Sequence, residues 1–157
     1  MTKTVFLLRH ATAADHSNDR MRSLTKVGQR QAESIGQWMK KNFLPIDIIF
    51  SSSAKRARTT AELCAEAAGH DKEIQIIDHL YDADVTTFLE IIRGLDDEIR
   101  AVMMVGHNPE ISGVVRALMG QSVRMENSEL VGITLVIASW SDVGNGTGVF
   151  EFKQLPI

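Results

Sequence analysis

Short unbroken apolar runs alternate along this chain with longer stretches in which apolar positions recur every third or fourth residue. The runs are Val5-Phe6-Leu7-Leu8, Ile46-Asp47-Ile48-Ile49-Phe50, Ile74-Gln75-Ile76-Ile77 and Ala101-Val102-Met103-Met104-Val105. They predict buried strands, and the nearly all-apolar fourth predicts a central one. The longer stretches predict helices. One opens at Leu24-Thr25, with Thr25 as N-cap and Val27, Ala32, Ile35, Trp38 and Met39 on its apolar side. Three more are predicted over residues 54–68 with Gly69 as stop, from about 85 to 95, and from Pro109 to about 119 with Gly120 as stop. Residues 133–139 and 149–152 read as two final strands, joined across the Asn-Gly-rich segment 141–148 as an antiparallel hairpin. The sum is an α/β protein: a three-layer α/β/α sandwich with a mostly parallel central sheet and a C-terminal antiparallel hairpin. No repeat, low-complexity tract or linker interrupts it, so one domain over residues 1–157 is expected.

Composition narrows the class. At 157 residues, with 44% hydrophobic and 24% charged side chains, the chain has the make-up of one globular domain. A formal net charge of −3 argues against a nucleic-acid partner. The lone Cys64 cannot form an internal disulfide, which points to a reducing compartment. The N-terminal apolar run is too short for a signal peptide, and no stretch approaches the roughly 20 apolar residues of a membrane helix. A soluble cytoplasmic protein with no membrane partner is expected. The oligomeric state stays open.

Chemistry-bearing residues follow the strands. Arg9 and His10 come after the first, Ser51 to Ser53 and Arg56 after the second, Tyr81 and Asp82 after the third, Gly106-His107-Asn108 after the fourth. In a parallel sheet these carboxyl ends share one edge, where open α/β folds bind ligands. Two arginines and two histidines gathered there suit a phosphate dianion. Arginine grips its oxygens as a fork, and neutral imidazole can attack phosphorus.

The same residues carry a resemblance. Leu8-Arg9-His10-Ala11 resembles the Arg-His-Gly hallmark of the histidine phosphatase superfamily. The segments Leu24-Thr25-Lys26-Val27-Gly28-Gln29-Arg30-Gln31-Ala32, Ser52-Ser53-Ala54-Lys55-Arg56-Ala57-Arg58-Thr59-Thr60 and Val105-Gly106-His107-Asn108-Pro109 are similar to its further motifs, in the family's order. The short length resembles its minimal members, the SixA-type phosphohistidine phosphatases. The resemblance implies a phosphoglycerate mutase-like fold without a cap insertion, and a site of His10, Arg9, Arg56 and His107. Thr25 and Gly28 are assigned to structure, as cap and close-packing residue. Ala11 departs from the usual Gly and requires a negative φ. His16 stands where larger members carry an Asn and is read as a solvent-facing loop residue, with Arg22 as a substitute phosphate contact.

The implied mechanism is two-step. His10 accepts the phosphoryl group and water then hydrolyses the phosphohistidine, while Arg9, Arg56 and His107 hold the equatorial oxygens. The surrounding cations should lower the pKa of His10, and a backbone carbonyl should fix its tautomer. No metal or other cofactor is expected, and His70 and His79 are read as structural or exposed. Asp82 is the candidate general acid for an alkoxide leaving group, with helix capping as its alternative; for Asp84 the cap is preferred. The short 77–101 connection leaves no room for a lid. The expected substrate is therefore a phosphorylated protein carrying phosphohistidine, such as a histidine phosphotransfer domain. A small-molecule phosphomonoesterase or mutase, and a non-catalytic phosphate-binding module, remain as alternatives.

Overall fold

The structure is a computed structural model and describes residues 2–157. Its elements run β1 (Lys3–Arg9), α1 (Lys26–Lys41), β2 (Ile48–Ser52), α2 (Lys55–Ala68), β3 (Gln75–Ile77), α3 (Val85–Arg93), β4 (Ala101–Gly106), α4 (Glu110–Met119), β5 (Leu130–Leu135) and β6 (Gly148–Gln154). They form one six-stranded sheet in the order β3-β2-β4-β1-β5-β6. The first four strands in that order are parallel, whereas β5 pairs antiparallel with β1, and β6 with β5.

Successive side chains of a strand point to opposite faces, and here both faces are covered. Val5, Leu7, Val102 and Met104 pack with Phe88, Ile92 and Ile111 under α3 and α4. Phe6, Leu8, Met103 and Val105 pack with Ile35, Ala57 and Cys64 under α1 and α2. That is why β1 and β4 read as unbroken apolar runs. The helix ends obey local chemistry. Thr25 accepts the Gly28 N–H to cap α1, Asp84 accepts the Thr87 N–H to cap α3, and Gly69 and Gly120 close α2 and α4 in the left-handed conformation.

Two expectations need correction. The fifth strand lies earlier than predicted, at Leu130–Leu135, because it must run alongside β1 in the pairing Leu8↔Leu130. The strands β5 and β6 are antiparallel as expected, but the segment joining them is no simple turn. Trp140 drops into the core from a 3-10 turn and donates its indole N–H to Ile99 O at 2.8 Å, pinning the connection beneath the sheet. Among the described residues no helix is long and apolar enough to cross a membrane.

Candidate active site

Register brings the two site histidines together. In the parallel pair β1–β4, Arg9 lies opposite Gly106, so the next residues, His10 and His107, leave the sheet side by side. His10 N–H donates to Gly106 O at 3.0 Å, and the two imidazole centroids are 5.3 Å apart. Gly106 itself is close-packed: a Cβ there would lie 3.1 Å from the Phe88 ring. Arg56 reaches the same place from the first turn of α2. That turn is tied to the β1 end by Thr60, which accepts the Ala11 N–H at 3.0 Å and donates to Arg56 O at 2.7 Å. Ala11 is fully buried and does not require a positive φ, so the side chain in place of glycine is accommodated.

Each ring has a defined set of partners. His10 Nδ1 lies 2.8 Å from Ala11 O, so the proton sits on Nδ1 and Nε2 keeps its lone pair. His10 is only 8% exposed, and burial, followed by the charges of Arg56, Arg9 and Arg22, lowers its pKa from 6.5 to about 4. The cations therefore deepen a shift that burial starts, a different weighting from the sequence expectation. His107, also 8% exposed, is lowered to about 3, first by burial and then by His10 and Arg56. Its Nε2 lies 2.8 Å from Ser52 Oγ, and that oxygen already accepts the Ala54 N–H at 3.2 Å. The Ser52 hydroxyl hydrogen is thus available to His107 Nε2. The other ring nitrogen, Nδ1, is buried and has no protein partner.

The arginines show the same pattern. Arg9 Nη1 donates to Met125 O at 3.1 Å and Arg56 Nη1 to Asp19 O at 2.7 Å, yet the buried Nε of each has no partner. Two arginines whose charges act on a neutral imidazole fit an anion. Among the described residues no group of three or more His, Cys, Asp or Glu side chains is placed to hold a metal ion.

Other predicted residues lie at the rim or away from it. Arg22 donates from Nε to Ala14 O at 3.0 Å, and its charge is felt by both His10 and His107. Asp82 is exposed at a φ of 59° and makes no side-chain hydrogen bond or ion pair with these groups. Its neighbour Tyr81 faces the site instead, edge-on to His107 with ring centroids 5.9 Å apart. His16 is exposed and accepts the Asn18 N–H within its own turn. His70 is half-buried beside Lys72, and His79 is exposed.

Sequence reasoning missed the loop before β5 and the turn Asp19–Met21. Ser128 N–H and Asn127 Nδ2 donate to His10 O, and Asn108 joins Arg9 on Met125 O. Asp19 pairs with Arg56 and accepts the Tyr81 hydroxyl. The one available signal was the turn-former cluster Glu126-Asn127-Ser128, which does not say what it will touch.

Comparison with known proteins identifies the family and the fold. A model of the histidine phosphatase superfamily (branch 1) matches residues 5–101. An uncharacterized protein of Mycobacterium leprae is 30% identical over 130 residues, 79% of this chain and 78% of that one. The phosphohistidine phosphatase SixA of Escherichia coli is 26% identical over 157 residues, 97% of this chain and 93% of its own. A solved structure of the protein histidine phosphatase SixA complexed with tungstate superposes with a TM-score of 0.86 at 25% identity, covering 98% of this chain and 97% of the other.

Proposed function

Because this chain belongs to the histidine phosphatase superfamily (branch 1), we propose that it dephosphorylates phosphohistidine on a protein, with His10 as the transient acceptor of the phosphoryl group. The observation that carries this reading is the meeting of Arg9, Arg56 and His107 at a neutral His10 whose Nδ1 is held by Ala11 O, leaving Nε2 free to attack. The likeness to SixA proteins supports the substrate.

In the first step His10 Nε2 bonds to phosphorus as the bond to the substrate imidazole breaks, and that nitrogen takes a proton from solvent. In the second, water attacks the phosphohistidine, phosphate leaves, and His10 returns to its neutral form. Arg9, Arg56 and His107 hold the equatorial oxygens, and their fixed positive charge and dipoles meet the charge that spreads there, so no metal is needed. Imidazole leaves more readily than an alkoxide, which matches the position of Asp82 outside the network. Between β3 and β4 lie only a 3-10 turn and α3, with no inserted lid, which suits a side chain presented by another protein.

The test is to trap a radiolabelled covalent intermediate that is acid-labile and base-stable. His10→Ala should abolish both the adduct and turnover. A clear preference of the enzyme for sugar or glycerate phosphates over a phosphohistidine protein would overturn the substrate assignment.

A further inference from the structure

A carboxylate stands where the proposed reaction should least want one. Asp19 pairs with Arg56 at 3.1 Å and with Arg22 at 3.6 Å, and a negative charge beside those cations should repel a phosphoryl anion. Its contacts, however, occupy only some of the Arg56 donors. Nη1 donates to Asp19 O at 2.7 Å and Nη2 to Oδ2 at 3.1 Å, whereas the buried Nε has no partner. A guanidinium carries five N–H donors, so Asp19 takes one on each terminal nitrogen and leaves the others free of it. Asp19 is itself held in place. Its Oδ2 accepts the Tyr81 hydroxyl at 2.6 Å, and the next residue, Arg20, bonds Ser53 and Asp78 while lying 4.5 Å over the Tyr81 ring. Among the described residues it is the one carboxylate paired with Arg56 or Arg22.

We propose that Asp19 is a positioning residue of the phosphoryl site: it clamps the guanidinium groups of Arg56 and Arg22 so that both are fixed at the rim before substrate arrives. The proposal rests on reading this edge as a phosphoryl site, and is independent of the leaving group. Its physical sense lies in ordering. A long guanidinium side chain fixed during folding need not be fixed again on binding, and small misplacements of such groups are costly to rate.

Three measurements on the full chain test it, with Asp19→Ala as the variant. In the unliganded protein the Arg56 Nη2–H resonances should be resolved in the parent and averaged by rotation in the variant. Inhibition by inorganic phosphate should weaken about tenfold. The kcat/KM for an aryl phosphate and for a phosphohistidine peptide should fall by one common factor, roughly 10- to 100-fold. The acid limb set by His10 should stay well below 6.5, because burial is the largest cause of its shift, whereas a collapsed site would return it toward that ordinary value. Tyr81→Phe removes only the hydroxyl shared on Oδ2 and should give a milder loss in the same direction.

Arg56 Nη2–H resonances that stay resolved in the variant overturn the proposal. So does tighter phosphate binding, which would make the carboxylate a competitor, or a loss confined to one leaving group, which would make it a proton donor or acceptor. A parent protein that neither binds phosphate nor turns over would end the phosphatase reading instead, and the resonance comparison would still decide the role of Asp19.

Discussion

Two imidazoles that face arginines stay uncharged at neutral pH chiefly because both rings are withdrawn from water; the cations add to what burial begins. For His10, with its pKa near 4, the consequence is a nucleophile available through the whole neutral range. The kcat/KM profile, corrected for the substrate's own ionisation, should stay flat through neutral pH and fall only as the pH approaches 4. An enzyme limb near 6.5, the ordinary histidine value, would contradict that picture. Arginine and lysine are not equivalent here. Arg9→Lys and Arg56→Lys each keep the charge but remove the Nε–H that has no protein partner. Steady-state assays should show kcat reduced on the order of 10² in each, the scale of losing one donor to a developing charge. Asp82→Asn, by contrast, should leave turnover of aryl phosphate and phosphohistidine alike unchanged.

At the level of elements, the β1–α1 connection is the part on which the rim depends. It carries Asp19 and Arg22, and it is anchored where α1 begins. Thr25 accepts the Gly28 N–H at 3.0 Å, and its own N–H donates to Thr12 O at 3.0 Å. Thr25→Ala should cost about 1 kcal/mol in urea unfolding, the usual worth of an N-cap. Gly28→Ala should do more, since a Cβ there would stand 2.0 Å from Thr12 O and the backbone must give way. The expected signature is a loss of kcat/KM beyond the loss of stability, because the displaced segment holds the arginine clamp. The cap and the glycine were both readable as structural from the motif Leu24-Thr25-Lys26-Val27-Gly28. The loop 120–129 was not, since its donors to His10 O serve a residue more than a hundred positions away.

Across the whole molecule, the buried histidines link stability to pH. A histidine whose folded pKa is depressed destabilises the native state below its unfolded value, because the unfolded chain binds the proton first. With folded values near 4 and 3 against 6.5, the loss should begin as pH falls below 6.5 and grow until both rings titrate. The coupled pair together should cost on the order of a few kcal/mol. Thermal midpoints measured across that window should drop for the parent protein and drop less for His10→Gln with His107→Gln. Equal slopes would show that carboxylates alone drive acid unfolding.

The order and type of nearly every element, the caps, and the placing of Arg9, His10, Arg56 and His107 at strand ends or in the turn that follows were written in the chain. These depend on local periodicity and turn chemistry, which neighbouring residues settle among themselves. Tertiary structure alone decided three matters. It set the register that pairs Arg9 with Gly106 and so brings the two histidines together. It set the burial that lowers their pKa values. It brought Asp19, Arg56 and Tyr81 into one network, and chose Tyr81 over Asp82 to face it. Each of these is a property of strands and loops distant along the chain, and no local pattern encodes which of them will meet.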